Sequence, residues 1–210
     1  MKLLLLGASG LVGSETLKLA LSHEHVSQII APTRKPLAPH DGLWNPTASR
    51  LEELTSVLTS SKPDAVIRAL GTTRKKAGSK EAFRYVDHDL PVAFGKAAHT
   101  AGVETYALVT AMGASEESMS FYYRTKGEVE RAVKEIGFRS LTICRPGLIQ
   151  GERNEARPAE ETALALARLL APVLPKKFHG NPAGIIASTL LEMVITAKTG
   201  CHWIFADEMN

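Results

Sequence analysis

The chain has 210 residues, 44% of them hydrophobic, with 25 basic and 22 acidic side chains and a formal net charge of +3. A chain of this length buries enough apolar surface to fold as one domain without a disulfide or metal staple. Its small net charge gives no reason to expect a nucleic acid or an anionic membrane as a partner. The composition also excludes collagen, a coiled coil, a disordered tail and a disulfide scaffold.

The first apolar run is short, because Leu3 to Leu6 are followed at once by Gly7. A secretory signal needs roughly 7–15 apolar residues, and a membrane span needs about 20. The two cysteines, Cys144 and Cys201, lie far apart in sequence and are interpreted as small apolar residues in a reducing compartment. We therefore expect a cytoplasmic protein with no membrane partner.

Short apolar runs alternate along the chain with longer amphipathic stretches, a pattern typical of βαβ units and a parallel sheet. The predicted strands are Lys2–Leu6, Val26–Ala31, Leu43–Asn45, Ala65–Ala69, Thr105–Thr110, Leu141–Arg145 and His202–Phe205. The predicted helices are Val12–Leu21, Ala48–Thr59, Lys80–Ala101, Tyr122–Glu135, Glu160–Leu170 and Pro182–Thr196. The predicted fold class is α/β, a doubly wound parallel sheet in a single domain over 1–210, in which about 151–200 form a small substrate-side cap.

A glycine-rich turn joins the first predicted strand to the first helix. Its sequence is Gly7-Ala8-Ser9-Gly10-Leu11-Val12-Gly13. The first glycine permits a sharp turn, the second lets the backbone approach a pyrophosphate, and the third allows close packing of helix on strand. The free N–H groups and the positive dipole end of the helix would then bind phosphates. The alternative is a tight strand-to-helix turn that binds no ligand.

The residues that follow the second strand indicate which nucleotide would bind. A site specific for NAD usually has an Asp or Glu here, which binds the ribose 2′-hydroxyl. This chain instead has Thr33, Arg34 and Lys35. A guanidinium can bind a 2′-phosphate through two charge-assisted hydrogen bonds, so we expect a preference for NADPH carried by Arg34 with help from Thr33 or Lys35. The alternative is a solvated basic turn.

A tyrosine and a lysine one helical turn apart provide the candidate chemistry. Tyr122 and Lys126 are four residues apart near the start of a predicted helix, and therefore lie on the same face. A phenol, with a pKa of about 10, is mostly neutral at neutral pH, and an adjacent ammonium favours its phenolate form. Tyr122 can then give a proton to a carbonyl oxygen as a hydride arrives, or remove one in the reverse direction. The alternative is a surface tyrosine with an unrelated lysine.

Three segments resemble the atypical short-chain dehydrogenase/reductase superfamily. They are the GASGLVG turn at 7–13, YYRTK at 122–126 and Arg145-Pro146-Gly147. The segments at 69–78, 126–130 and 157–158 are also similar to its Tat-interacting oxidoreductase-like branch. The resemblance implies a Rossmann fold that binds NADP, with Lys126 on the nicotinamide ribose. It places Leu70, Gly71 and Thr72 beneath the adenine-side ribose and phosphates, and Pro146, Gly147, Leu148 and Ile149 near the nicotinamide.

Two positions depart from the family pattern. The superfamily usually has a serine at the end of the fifth strand, where the only hydroxyl in this chain is that of Thr110, before Ala111 and Met112. The acidic residue that normally contacts adenine after the third strand is absent, and Asn45 is the nearest substitute. The histidines and cysteines show no spacing typical of metal ligands, so no metal site is expected.

The sequence therefore predicts an NADP-dependent oxidoreductase that acts on a small carbonyl or alcohol. Tyr122 would be its acid and base, Lys126 the electrostatic partner of that tyrosine, and Thr110 the orienting hydroxyl. One alternative is a regulatory protein that binds NADPH without turnover and contacts a protein partner, and another is an epimerase or dehydratase. We expect a small-molecule substrate, no nucleic-acid partner, and a monomer or a homodimer.

Overall fold

The structure is a computed structural model that describes residues 1–151 and 180–209. Its main strands are β1 Lys2–Leu6, β2 Gln28–Ile30, β3 Leu43–Trp44, β4 Ala65–Arg68, β5 Thr105–Val109, β6 Ser140–Arg145 and β9 Gly200–Phe205. They form one parallel sheet in the spatial order β3, β2, β1, β4, β5, β6, β9. A separate parallel pair joins β7, Ile149–Gln150, to β8, Asn181–Pro182.

Seven α-helices lie in the described part of the chain. They are α1 Leu11–Leu21, α2 Ser56–Ser61, α3 Arg74–Ala77, α4 Lys80–Arg84, α5 Leu90–Thr100, α6 Phe121–Lys134 and α7 Ala183–Thr196. Short 3-10 turns occur at Leu51–Leu54 and Ala206–Glu208, and a π-helical turn at Tyr85–Asp89 joins α4 to α5.

Both faces of the sheet are covered by helices. Leu3 and Leu5 of β1 pack with α1 and α7 in one apolar cluster, and Leu4 and Leu6 pack with α5 and α6 in the other. Successive side chains of a strand point to opposite faces, so an uninterrupted run of leucines fills both clusters. The predicted doubly wound Rossmann fold is confirmed, and its strand order reverses direction between β1 and β4.

The predicted helix Lys80–Ala101 is divided into α4, the π turn and α5. Pro91 lies in the first turn of α5, where its ring has no N–H and conflicts with an α-helical carbonyl four residues earlier. The backbone widens just before this proline, and the N–H of Leu90 bonds to the carbonyl of Tyr85, five residues back. The π turn therefore accommodates Pro91 within a nearly continuous helical segment.

Other boundaries differ from the predicted ones. The predicted helix Ala48–Thr59 is a 3-10 turn followed by the short α2, and α3 was not predicted. The predicted helix Glu160–Leu170 lies outside the described residues, as does most of the predicted cap at about 151–200. Within that segment α7 packs against α1 and the sheet, so this part covers the sheet face.

Candidate active site

The glycine-rich turn brings the start of α1 very close to the ends of two strands. Gly7 has a φ of +92°, and an added Cβ would lie 2.7 Å from the backbone of Ala69 and Leu70. An added Cβ on Gly13 would lie 1.9 Å from the carbonyl oxygen of Gly7. Ser9 and Gly10 are exposed at the tip of the turn, immediately before the uncapped amino end of α1. The turn thus has the shape of a backbone cradle for phosphate groups.

The loop after β2 is held by a small polar network. Asn45 donates to the Ala31 carbonyl at 2.5 Å and to the Thr33 hydroxyl at 2.7 Å, and its own oxygen accepts from the Leu37 N–H. Thr33 in turn donates to the carbonyl of Lys35 at 2.7 Å. Thr33 and Asn45 therefore maintain the shape of the loop, on which the side chains of Arg34 and Lys35 are exposed.

The loop after β4, which contains Leu70, Gly71 and Thr72, is fixed beside the glycine turn. The Thr72 N–H donates to Oδ2 of Asp87 at 2.9 Å. Asp87 belongs to the π turn and is completely buried. One buried carboxylate therefore anchors a loop that the family resemblance assigns to the cofactor.

The predicted tyrosine and lysine lie together on α6. Tyr122 is 36% exposed, and its ring packs against Phe83 with 5.6 Å between centroids. The ammonium of Lys126 lies 5.8 Å from the centroid of the Tyr122 ring. Lys126 is buried and donates to Oδ1 of Asp87 at 2.6 Å. The site therefore combines an accessible phenol with a buried cation.

Burial and the charges around it determine the electrostatics of this lysine. Burial lowers the pKa of Lys126, the Asp87 carboxylate opposes that change, and the Arg68 guanidinium adds to it. Burial also lowers the pKa of Arg68, whose side chain lies beside Asp87 at the end of β4. Because the buried cations outnumber the carboxylate between them, the cluster is electropositive and favours an anion, including a phenolate, nearby.

Thr110 is placed differently from the predicted orienting hydroxyl. Its side chain is buried, and its hydroxyl donates to Oε1 of Glu130 at 2.6 Å. Glu130 also accepts from the guanidinium of Arg145 through both carboxylate oxygens. A substrate carbonyl could receive a hydrogen bond from Thr110 only if the bond to Glu130 were broken.

The loop after β6 is fastened by a buried asparagine. Oδ1 of Asn181 accepts from the N–H of Gly147 at 2.7 Å, and its amide donates to the carbonyls of Ala206 and Met209 at 2.7 and 2.9 Å. The Pro146 carbonyl accepts from the N–H of Met112 at 2.8 Å. These bonds hold Pro146, Gly147, Leu148 and Ile149 beside the ends of β5 and β6.

Sequence reasoning missed Arg68, Asp87, Glu130 and Asn181. Arg68 did carry a signal, because it ends the otherwise apolar strand Ala65–Arg68 and a buried charge requires a partner. The partner lies in a different element, which periodicity does not reveal. Among the described residues, no group of three potential metal ligands occurs, and no helix is long and apolar enough to cross a membrane.

Comparison with known proteins decides the family. The sequence model of a family described as NAD(P)H-binding matches residues 7–165. The chain belongs to the NAD(P)H-binding family. Together with the fold, this membership confirms the resemblance to the atypical short-chain dehydrogenase/reductase superfamily.

Relatives of this NAD(P)H-binding protein include two fungal proteins, each named as protein fmp52, mitochondrial. The one from Emericella nidulans is 39% identical over 179 residues, which cover 82% of this chain and 75% of that protein. The one from Aspergillus niger is 36% identical over 211 residues, which cover 93% of this chain and 88% of that protein. The predicted cytoplasmic location is wrong by this comparison, because these relatives are named as mitochondrial.

Solved structures of low sequence identity share the fold. WbmH of Bordetella bronchiseptica, in complex with NAD+, has a TM-score of 0.73 at 14% identity and covers 98% of this chain and 75% of its own. The oxidoreductase ylbE of Lactococcus lactis has a TM-score of 0.69 at 21% identity, with coverages of 96% and 89%. These comparisons support NAD(P) as the cofactor of this protein, without distinction between NAD and NADP.

Proposed function

We propose that this protein is an NADP-dependent oxidoreductase that reduces a small carbonyl compound or oxidises the corresponding alcohol. The observation that carries the proposal is the accessible Tyr122 phenol beside the buried Lys126 ammonium, 5.8 Å from ring centroid to nitrogen. The pair lies near the carboxyl-terminal end of the sheet, where the glycine-rich phosphate cradle also lies. Ligands of open α/β sheets bind at this end, outside the carboxyl ends of the strands.

The chemical roles follow from the charges of the site. The glycine-rich turn would hold the phosphates of NADPH, which would supply the hydride for the carbonyl carbon and so become NADP+. Tyr122 gives its hydroxyl proton to the carbonyl oxygen, which completes the alcohol and leaves a phenolate. Lys126 stabilises that phenolate electrostatically, and the phenolate recovers a proton from solvent before the next turnover.

The preference for the phosphorylated cofactor rests on the loop after β2. Arg34 and Lys35 are exposed there, and the residues from Ala31 to Lys35 include no carboxylate that would bind a ribose 2′-hydroxyl. The Asn45 and Thr33 network fixes the backbone that presents both charges. A charge-assisted hydrogen bond contributes roughly 1.5–3 kcal/mol, so Arg34→Ala should weaken NADPH binding about tenfold or more and leave NADH binding unchanged. Fluorescence titration with both nucleotides measures this difference, and equal losses for the two would contradict the NADP assignment.

The oxidoreductase assignment is tested by the consumption of NADPH with a panel of small aldehydes and ketones. Tyr122→Phe removes the acid and should abolish turnover while NADPH still binds. Tyr123→Phe is the matched control, since Tyr123 is a neighbouring tyrosine of similar exposure that has Gly127, not a lysine, four residues later. Turnover that survives Tyr122→Phe would refute the role of the tyrosine.

A second function is favoured by one observation. The Thr110 hydroxyl is already bonded to Glu130, so the hydroxyl expected as the third member of the catalytic group is engaged elsewhere. A regulatory protein that binds NADPH and contacts a protein partner would need no such hydroxyl. Tight NADPH binding without turnover on any carbonyl of the panel would favour this function.

A further inference from the structure

Three charged side chains from three different elements meet in the interior beside the tyrosine. Arg68 ends β4, Asp87 belongs to the π turn, and Lys126 lies on α6. Their side chains are 0%, 0% and 5% exposed. Oδ1 of Asp87 lies 2.6 Å from the Lys126 nitrogen and 3.9 Å from Nη2 of Arg68. A single carboxylate thus lies between two buried cations.

The two oxygens of Asp87 have separate partners. Oδ1 accepts from Lys126, and Oδ2 accepts from the N–H of Thr72 at 2.9 Å. Thr72 belongs to the loop after β4, whose first residues pack against Gly7. The same side chain therefore connects the lysine on α6 with the loop beside the phosphate cradle.

Arg68 is fixed by bonds to the backbone around it. It donates from Nη1 to the Val109 carbonyl at 2.9 Å and from Nη2 to the Val86 carbonyl at 3.2 Å. Its Nε is buried without a hydrogen-bond partner among the described residues. Burial of an arginine in this environment carries a large desolvation free energy, and its charge is compensated chiefly by Asp87.

We propose that Asp87 is a positioning residue of this site: one carboxylate oxygen holds the Lys126 ammonium, the other holds the loop at Thr72, and the Arg68 guanidinium lies beside the same carboxylate. The proposal rests on the proposed function only in so far as Lys126 is the partner of the acid and base Tyr122. It predicts that the ionisation of Lys126 depends on Asp87 and Arg68 in opposite directions.

The charged and titratable groups that face Lys126 define these directions. They are Asp87 from the π turn, Arg68 from β4, and Tyr122 and Glu130 from α6 itself. A carboxylate 2.6 Å from the ammonium favours its charged form, whereas a nearby guanidinium disfavours it. Removal of the Asp87 charge should therefore make Lys126 lose its proton at lower pH, and removal of the Arg68 charge should make it lose the proton at higher pH.

The experiment follows the side-chain NMR signal of Lys126 through a pH titration of the full chain with isotope-labelled lysine, without nucleotide or substrate. Loss of the signal in Lys126→Met assigns it. In Asp87→Asn the midpoint should fall by about one pH unit or more, and in Arg68→Met it should rise. Asp64→Asn is the matched control. Asp64 is likewise a carboxylate that accepts a backbone N–H, from Lys2 at 2.6 Å, but it lies at the opposite end of the sheet.

An unchanged midpoint in Asp87→Asn, or shifts of the same sign in both variants, would overturn the proposal. If Asp87→Asn leaves two unpaired cations and does not fold, the double variant Arg68→Met/Asp87→Asn removes their repulsion and is measured against Arg68→Met. Its midpoint should then lie below that of Arg68→Met, and equality would overturn the proposal. Because the titration needs no turnover, a protein that reduces no carbonyl would end the proposed function and leave this result standing.

Discussion

The close approach of α1 to the first strand makes Gly13→Ala a sharp test of the phosphate cradle. The new Cβ would lie 1.9 Å from the carbonyl oxygen of Gly7, 2.6 Å from its carbonyl carbon and 3.1 Å from Cα of Ala8. Ordinary contacts of a Cβ begin at 3.4 Å, and the neighbouring atoms are backbone that cannot rotate away. The start of α1 must therefore move outward by about 1.5 Å.

A substitution at a second glycine, Gly184→Ala, serves as a control that separates the steric effect of Gly13→Ala from the effect of alanine on helix propensity. Gly184 occupies the first turn of α7, and its added Cβ would find its nearest neighbour, Oε2 of Glu15, at 3.9 Å. Both substitutions gain the same preference of alanine for helix, up to about 1 kcal/mol. We expect the free energy of unfolding of Gly13→Ala to be lower than that of Gly184→Ala by about 1–3 kcal/mol or more. This difference measures the steric conflict alone.

Urea unfolding followed by circular dichroism gives the two free energies, and fluorescence titration gives the affinity for NADPH. We expect Gly13→Ala to bind at least about tenfold more weakly, since the N–H groups at the start of α1 are displaced from the phosphates. Gly184→Ala should bind normally. Equal stability and equal affinity of the two variants would refute the argument that this glycine holds the helix in place.

Two further predictions concern buried groups. Asn181→Ala leaves the Gly147 N–H and the carbonyls of Ala206 and Met209 without the asparagine as a partner. The free energy of unfolding, measured in urea, should therefore fall by at least about 2 kcal/mol. A fall within experimental error would contradict this prediction. Burial raises the pKa of Cys144 to about 12, so the native thiol keeps its proton while the unfolded thiol loses it above about pH 9. Its contribution to stability is therefore lost as the pH rises from about 9 to 12, with a slope of up to about 1.4 kcal/mol per pH unit that should disappear in Cys144→Ala. Identical slopes for the two proteins would exclude this linkage.

The parts of the site that were predictable obey local rules. The glycine turn follows from three glycines placed directly after a buried strand, and the pairing of Tyr122 with Lys126 follows from the four-residue spacing of a helix. Thr110 directly follows β5, Thr105–Val109, so its position along the chain was also local information. These features depend on neighbours in sequence, so a single chain suffices to find them.

The remaining features depend on tertiary contacts. The direction of the Thr110 hydroxyl is set by Glu130, which lies 20 residues away on α6. The partner of Arg68 is Asp87, and their meeting requires the π turn to pack over the end of β4. The helix Lys80–Ala101 was predicted without a break; Pro91 within it is a sequence signal of an irregularity, but a proline alone does not specify a widened turn.

The π turn at Tyr85–Asp89 also holds one extra residue while α4 and α5 keep the rotational phase of a continuous helix. An α-helical turn takes about 3.6 residues, and the wider π turn holds one residue more within one turn, so deletion of one residue here would restore regular winding without rotating α4 relative to α5. Phe83 would then stay against the ring of Tyr122, whereas the same deletion within a regular stretch of α5 would rotate the helix by about 100°. A homologue without the turn should therefore show a one-residue gap at this point, and the counterpart of Phe83 should still pack against its tyrosine.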